Sequence, residues 1–368
     1  MLEIEDDKYG SIKLNKLDES HLFIEGKIGI SKKLSFVQPL NFLISQVRLI
    51  YLVQKLARTH HILAIRIGDP YYLGLLGVLL SYLLKVPLVA RIGFRFDELV
   101  KVTGRPVMAR LFKYRWIEKN VEKFVFTRCN LIAGANEDNR QYAIENGANK
   151  NFTTVFRYGN LIHDSHWIEP KLRLFGDEVV KEFGFSKMKF AVTIARLEPM
   201  KYVEDAIRAF AELINRGHLI KFVVVGDGIL KNKLQNLAKS LGIGNDVFFA
   251  GNRTQDWLAE LLPKAELVIS PHMGRALAEA ALASLPIAAY DYDWQREIVI
   301  NDFTGYIVPH QNWLELSVKA ERILTDPILA KEMGKNARKL VLEMMNPERL
   351  EKHEKNEYDK LFVRIFNK

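Results

Sequence analysis

The stretch Lys189–Arg208, KFAVTIARLEPMKYVEDAIR, constrains the fold more than any other part of the chain. Phe190 to Ile194 read as a buried strand. A short loop follows, then an amphipathic helix in which Val203, Ile207 and Phe210 recur at helical spacing. A buried strand feeding directly into such a helix is half of a right-handed βαβ unit, and that unit requires a parallel sheet. The pattern then continues. Strand-like runs occupy 221–225, 247–250, 267–270, 286–290 and 305–309, alternating with helical periodicity at 230–241, 257–262, 276–284 and from Trp313 onward.

The first half alternates in the same way, with strands at 61–67, 87–92, 131–133 and 153–156 and helices at 40–58, 72–84 and 137–145. Residues 1–30 hold short alternating pieces around Ile12, Leu14, Leu22 and Ile24, which suggest brief strands. The segment 72–84 is apolar almost all round, so burial on every side is expected of it. A linker containing His163–Pro170 separates the halves, and a chain of 368 residues is long enough for two α/β domains.

A helix is expected to begin near Pro106, its stripe Val107, Leu111, Tyr114, Ile117, Val121 and Val125 facing the core. Met108, Phe112 and Trp116 step along another side beside Arg115, Lys119 and Lys123. The formal net charge is +9, and residues 105–128 hold seven cations against two acids. Such a helix fits two descriptions. It either settles on anionic lipid or is a solvated basic helix whose second apolar row packs on a neighbour. The charge favours anionic partners in general, but no aromatic and basic platform accompanies it, so a nucleic-acid role is not expected.

The single cysteine, Cys129, excludes an internal disulfide framework and a cysteine-rich metal site. No run of eighteen uncharged apolar residues and no signal-peptide pattern is visible. The expectation is a protein kept in the cytosol, with peripheral contact at the inner face of a membrane if the basic helix binds lipid.

Chemistry concentrates where strands end. Arg196 closes the first strand of the second half and Lys201 opens its helix, so both can converge over the C-terminal edge of the sheet, a place suited to phosphate. Ordinary solvation of a strand-to-helix turn would need the same residue types. Arg91, Gly93 and Arg95 leave the 87–92 strand at the equivalent edge of the first half. Gly226-Asp227-Gly228 allows close backbone approach to a ligand. Glu279, in the first turns of a helix, either accepts ribose hydroxyl hydrogen bonds or simply complements the helix dipole.

The succession resembles the retaining glycosyltransferases of the GT-B class, in the large family of glycogen-synthase-like, mannosyl and lipid-sugar transferases. The residues carrying the resemblance are Ala195-Arg196-Leu197 with Lys201, VVVGDGILKNKLQNLAKSLGI (223–243), Val247–Gly251, ISPHMGRALAEA (269–280), Leu285-Pro286-Ile287 and Thr304–Pro309. It is close over about 189–345 and looser over 60–160. The resemblance implies two Rossmann-like domains facing across a cleft, at 1–165 and 166–345, with 346–368 crossing back as a helix onto the first.

It further implies a nucleotide-sugar donor and no cofactor or divalent metal. Arg196 and Lys201 match the cations on the donor diphosphate, and Glu279 matches the acid on the ribose. Met273, Gly274 and Arg275 fall in the loop whose helix-start amides cradle the diphosphate. Gly226, Asp227 and Gly228 match a loop lining the same cleft, and Arg253 lies where the base is held. The acceptor, a saccharide or a lipid-linked hydroxyl, would meet Arg91, Gly93 and Arg95.

Three features depart from the family pattern. Pro271 stands where a first glutamate is usual, His272 stands where a glycine is usual, and the first-domain histidine near Ile92 is missing. His272 either replaces the lost sugar contact or only caps its loop. A scaffold-sharing epimerase or phosphorylase, and a nucleotide-sugar-binding pseudoenzyme, also remain compatible with these residues.

Overall fold

The computed structural model describes residues 12–16, 22–26, 38–170, 181–184 and 188–366. Strands β1 (Ile12–Lys16) and β2 (Leu22–Gly26) pair as an antiparallel ribbon. The first α/β unit is a parallel four-stranded sheet of β3 (Ile65–Ile67), β4 (Leu88–Ile92), β5 (Leu131–Gly134) and β6 (Thr153–Val155), in that order.

The second unit contains β7 (Phe190–Ile194), β8 (Lys221–Val225), β9 (Val247–Gly251), β10 (Leu267–Ser270), β11 (Ile287–Tyr290) and β12 (Gly305–Val308). They form a parallel six-stranded sheet in the order β12-β11-β10-β7-β8-β9. The chain enters at the centre with β7, builds outward to β9, then returns to the other side of β7 with β10. The order therefore reverses between β7 and β10, and a crevice opens beyond their C-terminal ends.

Period-two alternation explains the layering. Phe190, Val192 and Ile194 of β7 enter the apolar cluster that receives Leu277, Ala280 and Ala281 of the Ala276–Leu282 helix. Ala191 faces the other way, into the cluster holding Val203, Ile207 and Phe210 of the Val203–Asn215 helix. Phe210 stacks on Phe222 with ring centroids 4.9 Å apart.

Two expectations for the first unit need correction. The helix expected from Pro106 begins only at Arg115; the helices are Phe96–Thr103 and Arg115–Phe126, with turns between. The buried Glu118 carboxylate accepts from the N–H groups of Val107 (3.1 Å) and Met108 (2.7 Å), pinning that segment as a turn. Met108 and Phe112 pack on the first-domain core, and Arg115 and Lys119 bind carboxylates within the domain. Interfacial docking by residues 106–128 therefore loses most of its apolar row and two of its cations to the domain interior. The Tyr72–Leu84 helix, expected to be buried all round, buries Gly74, Gly77 and Leu80 but leaves Tyr82 80% exposed.

Arg115 is the hub of the first domain. Its guanidinium lies 2.8 Å from Asp97, 3.0 Å from Glu118 and 2.6 Å from Glu122, the two glutamates being fully buried. Tyr71 and Tyr142 donate to the Glu122 carboxylate at 2.5 and 2.6 Å. Burial, reinforced by that carboxylate, pushes both phenols far up from their ordinary range.

The last helix, Pro347–Phe366, returns to the first sheet, where Leu361 packs with Val89, Leu131, Ala133 and Phe156. The chain thus crosses between the units near Gly159 and again near Met345, and the crossings touch. A Cβ on Gly159 would fall 2.2 Å from the Met345 carbonyl oxygen, so only glycine fits.

Removing the hub cation should leave two buried carboxylates without their counter-charge. Arg115→Met is expected to lower stability by about 3–5 kcal/mol, read as a reduced urea midpoint; an unchanged midpoint would mean the cluster contributes nothing net.

Candidate functional site

The crevice between β7 and β10 opens into two adjoining cavities. One, of about 400 Å³, lies between the domains and is lined by Gly93, Phe94, Asn136 and Tyr158 from the first, and by His272, Asp293 and Trp294 from the second. The other, of about 350 Å³, lies within the second domain among Gly226, Asn252, Arg253, Ala276 and Glu279. Arg196, Lys201, Gly274 and Arg275 line both. These four come from the loops following β7 and β10, whose helices lie on opposite faces of the sheet.

Arg196 is 71% exposed and bonds only loosely to its own loop, through Glu198 at 3.0 Å. Lys201 is more enclosed. Burial lowers its pKa from the ordinary lysine value, partly offset by the Asp293 carboxylate and reinforced by neighbouring Arg196. Glu279 is buried at 2% exposure, and burial raises its carboxyl pKa against the opposing effect of Arg275, whose Nε donates to it at 3.1 Å. Gly274 has open space where a side chain would stand.

His272 is firmly oriented. One ring nitrogen, Nδ1, lies 2.7 Å from the Met200 carbonyl oxygen and the other, Nε2, lies 3.4 Å from Asp293 Oδ2. Tyr292 stands edge-on to the ring at 4.9 Å. Asp293 itself has φ +55°, an uncommon conformation for a residue with a side chain, and Asn136 of the first domain donates to it at 3.2 Å. Beside it Glu297 accepts from the backbone N–H of Glu137 at 2.8 Å and pairs with Arg157. The two domains are thus joined across the mouth of the cleft.

Other expected site residues are placed elsewhere. Met273 is fully buried in the second-domain core. Asp227 turns to Lys231 (2.9 Å) and to the N–H of Gly228 (2.8 Å), and neither Asp227 nor Gly228 lines either cavity. Gly226 does line one, and its role there is steric. At φ +127°, a Cβ would sit 2.0 Å from the Ala195 carbonyl oxygen.

Arg253 lines the second cavity, but its guanidinium bonds the Ala250 carbonyl at 2.9 Å, pairs with Glu182 and lies over Trp257. Gly93 reaches the cleft, whereas Arg91 and Arg95 do not line it. Arg91 lies behind it, over the Tyr158 ring at 4.1 Å and donating to the Phe156 carbonyl at 3.1 Å. Arg95 pairs with Asp138 at 3.2 Å and Glu145 at 2.7 Å, which turns it to the Glu137–Glu145 helix. Asn136, Tyr158, Asp293 and Glu297 were not singled out by the sequence. Asn136, Tyr158 and Asp293 each follow a strand of a parallel sheet within three residues, where ligands can be held, but nothing else in the sequence set them apart.

Residues 177–340 match the family model for glycosyl transferases group 1. The α-D-kanosaminyltransferase of Streptomyces kanamyceticus is 28% identical over 164 residues, 44% of this chain and 42% of that protein. N-acetyl-α-D-glucosaminyl L-malate synthase of Bacillus anthracis is 28% identical over 207 residues, 55% of this chain and 52% of that protein. The chain thus aligns with about half the length of these curated relatives. The Anabaena HepE structure in complex with UDP-glucose has a TM-score of 0.64, covering 90% of this chain and 86% of that one at 18% identity, which is a likeness of fold. Residues 177–340 accordingly belong to the glycosyl transferases group 1 family, carried on a GT-B fold of two facing α/β domains that takes in the chain on either side of them.

Proposed function

We propose that the protein is a retaining hexosyltransferase, moving a sugar from a nucleotide-diphosphate donor to a hydroxyl on a saccharide or lipid-linked acceptor without a metal ion. One observation carries this reading: the same four residues, Arg196, Lys201, Gly274 and Arg275, line both cavities. A ligand filling both must pass its middle between three cationic side chains. A nucleotide-diphosphate sugar has that layout, with nucleoside at one end, sugar at the other and negative charge between.

On this reading the nucleoside occupies the second-domain cavity, where Glu279 accepts ribose hydroxyl hydrogen bonds. The uridine diphosphate sugar bound by HepE makes that class the first donor to test. The sugar reaches the interdomain cavity beside His272 and Asp293, and the acceptor enters past Gly93, Phe94 and Tyr158. The bond from the sugar C1 to the diphosphate oxygen breaks as the acceptor oxygen bonds C1 from the same face. The acceptor proton passes to the departing phosphate oxygen. Arg196 and Lys201 stabilise the growing charge.

A thermal-shift screen over nucleotide sugars should find a donor that stabilises the protein by roughly 2.7 kcal/mol at about 100 times its Kd. With that donor, Arg196→Ala and Lys201→Ala should each lower kcat by about 10²- to 10³-fold, in buffer containing EDTA. Near-wild-type turnover in both variants would exclude the assigned role.

The burial of Lys201 gives a pH dependence. Its folded pKa lies below the ordinary lysine value, so the positive charge is lost as pH rises through that lowered pKa, earlier than for a solvated lysine. Donor affinity should therefore fall on an alkaline limb below pH ~10.4, and Lys201→Arg should abolish the limb.

Asp293→Asn keeps a residue type that tolerates positive φ while removing a carboxylate acceptor. It should reduce kcat/KM for the donor by roughly 10- to 100-fold, the scale for hydrogen bonds to a charged group, and leave affinity for the free nucleoside diphosphate unchanged. Equal losses for both ligands would place Asp293 outside sugar recognition.

A further inference from the structure

The first domain carries an outer surface that the donor reading leaves unused. On the Gln38–Thr59 helix, Leu40, Leu43, Val47 and Tyr51 step by three and four along one side and are exposed, Val47 at 66% and Tyr51 at 69%. The opposite side holds Phe42, 5.9 Å from Tyr72, and Gln46, which accepts from the Tyr72 hydroxyl at 2.6 Å. Next to it the Tyr72–Leu84 helix exposes Leu75, Leu79 and Tyr82, which line a groove with Phe124 and Arg128. A folded domain rarely leaves so many large apolar side chains together in water.

Charge identifies what such a surface fits. Neither helix contains an acidic residue. Arg48, Lys55, Arg58, Lys85 and Arg128 flank the apolar stripes, and none has a carboxylate partner among the described residues. Several other cations of this domain are paired: Arg66 with Glu354, Arg95 with Asp138 and Glu145, Arg115 with Asp97. The surface with the exposed leucines and tyrosines instead gathers five cations around acid-free helices, with no carboxylate among the described residues to neutralise them. An acidic protein partner would use the charges but has no need of the apolar stripes. A second copy of the chain would bring cations against cations.

We propose that this surface, built by the Gln38–Thr59 and Tyr72–Leu84 helices with Phe124 and Arg128, docks the protein on an anionic lipid bilayer. The apolar side chains enter the boundary between headgroups and acyl chains, and the cations lie among the lipid phosphates. No described helix is long and apolar enough to cross a membrane, and the 13-residue Tyr72–Leu84 helix, at about 20 Å, is shorter than a bilayer core. The contact is therefore one of lying on the surface. The proposal does not depend on which donor or acceptor is used.

Co-sedimentation of the full chain with phosphatidylcholine vesicles, with and without phosphatidylglycerol, tests it. The protein should pellet with the anionic vesicles at low salt, much less at high salt, and little with phosphatidylcholine alone. Lys55→Ala with Arg58→Ala should weaken partitioning about 30-fold, at about fivefold per cation, and Val47→Ser with Tyr51→Ser should weaken it too. Lys331→Ala with Lys335→Ala, exposed cations on the second domain, should leave it unchanged. All these side chains are exposed, and an unaltered donor-induced thermal shift verifies folding. Failure to pellet, equal loss in the second-domain control, or a dimer that the first-domain variants dissociate without any vesicle binding would each overturn the proposal.

Discussion

Strand β7 is buried at every position and is hydrogen-bonded to β8 on one side and β10 on the other. The helix after β7 covers one face of the sheet and the helix after β10 covers the other, so the loops leaving these adjacent strands must part. Arg196 and Lys201 ride on one loop, Gly274 and Arg275 on the other. The gap between them is a consequence of strand order, and it persists because closing it would require moving a helix through the sheet. Every property of the site follows from that separation. The cations face each other across open space where a ligand can reach them, Arg196 and Arg275 each also holding a carboxylate of its own loop or helix, Glu198 and Glu279.

Electrostatics in the gap are graded. Arg196 is largely exposed, whereas Lys201 is enclosed enough for burial to depress its pKa. A partly desolvated ammonium gains more from an incoming diphosphate than a hydrated one, because less water must be displaced and the local dielectric is lower. The domain contacts extend this enclosure. Glu297 is held by Arg157 and the Glu137 N–H, and Asp293 by Asn136, all from the first domain. Opening the cleft would release those contacts and rehydrate the site together, so ligand access and charge stabilisation are coupled through the same few side chains.

Legibility in the sequence tracked burial. The second-domain strands announce themselves as continuous apolar runs, and Phe190–Ile194, Lys221–Val225 and Leu267–Ser270 appear at the ends expected of them. Arg196, Lys201 and Glu279 were singled out by their place at strand-to-helix turns or in the first turns of a helix, whereas Gly274 and Arg275 were pointed to by the family resemblance. Asn136, Tyr158 and Asp293 were not legible, because their place depends on how two separately folded units meet, and local periodicity carries no record of that. Arg91 and Arg95 show the converse. They leave the correct strand end, yet Tyr158 and the acids on the Glu137–Glu145 helix draw them aside. The stretch after Pro106 misled because Glu118, well along the chain, takes the Val107 and Met108 amides that a helix start would have left to water.

Pro271 illustrates how a site redistributes a lost group. A proline at that position offers the cleft neither a side-chain acceptor nor a backbone donor, so polar recognition at the start of this loop falls to its neighbour. His272 has one ring nitrogen committed to the Met200 carbonyl, which fixes the ring and directs the other nitrogen at Asp293. The carboxylate of the β11 loop thereby comes to stand in the cleft between His272 of one loop and Asn136 of the other domain. Its positive φ is the cost of that placement, roughly 1 kcal/mol or more for a residue with a side chain. Strain retained at a cleft residue, next to an imidazole oriented by a second bond, is the local feature on which the proposed sugar recognition rests.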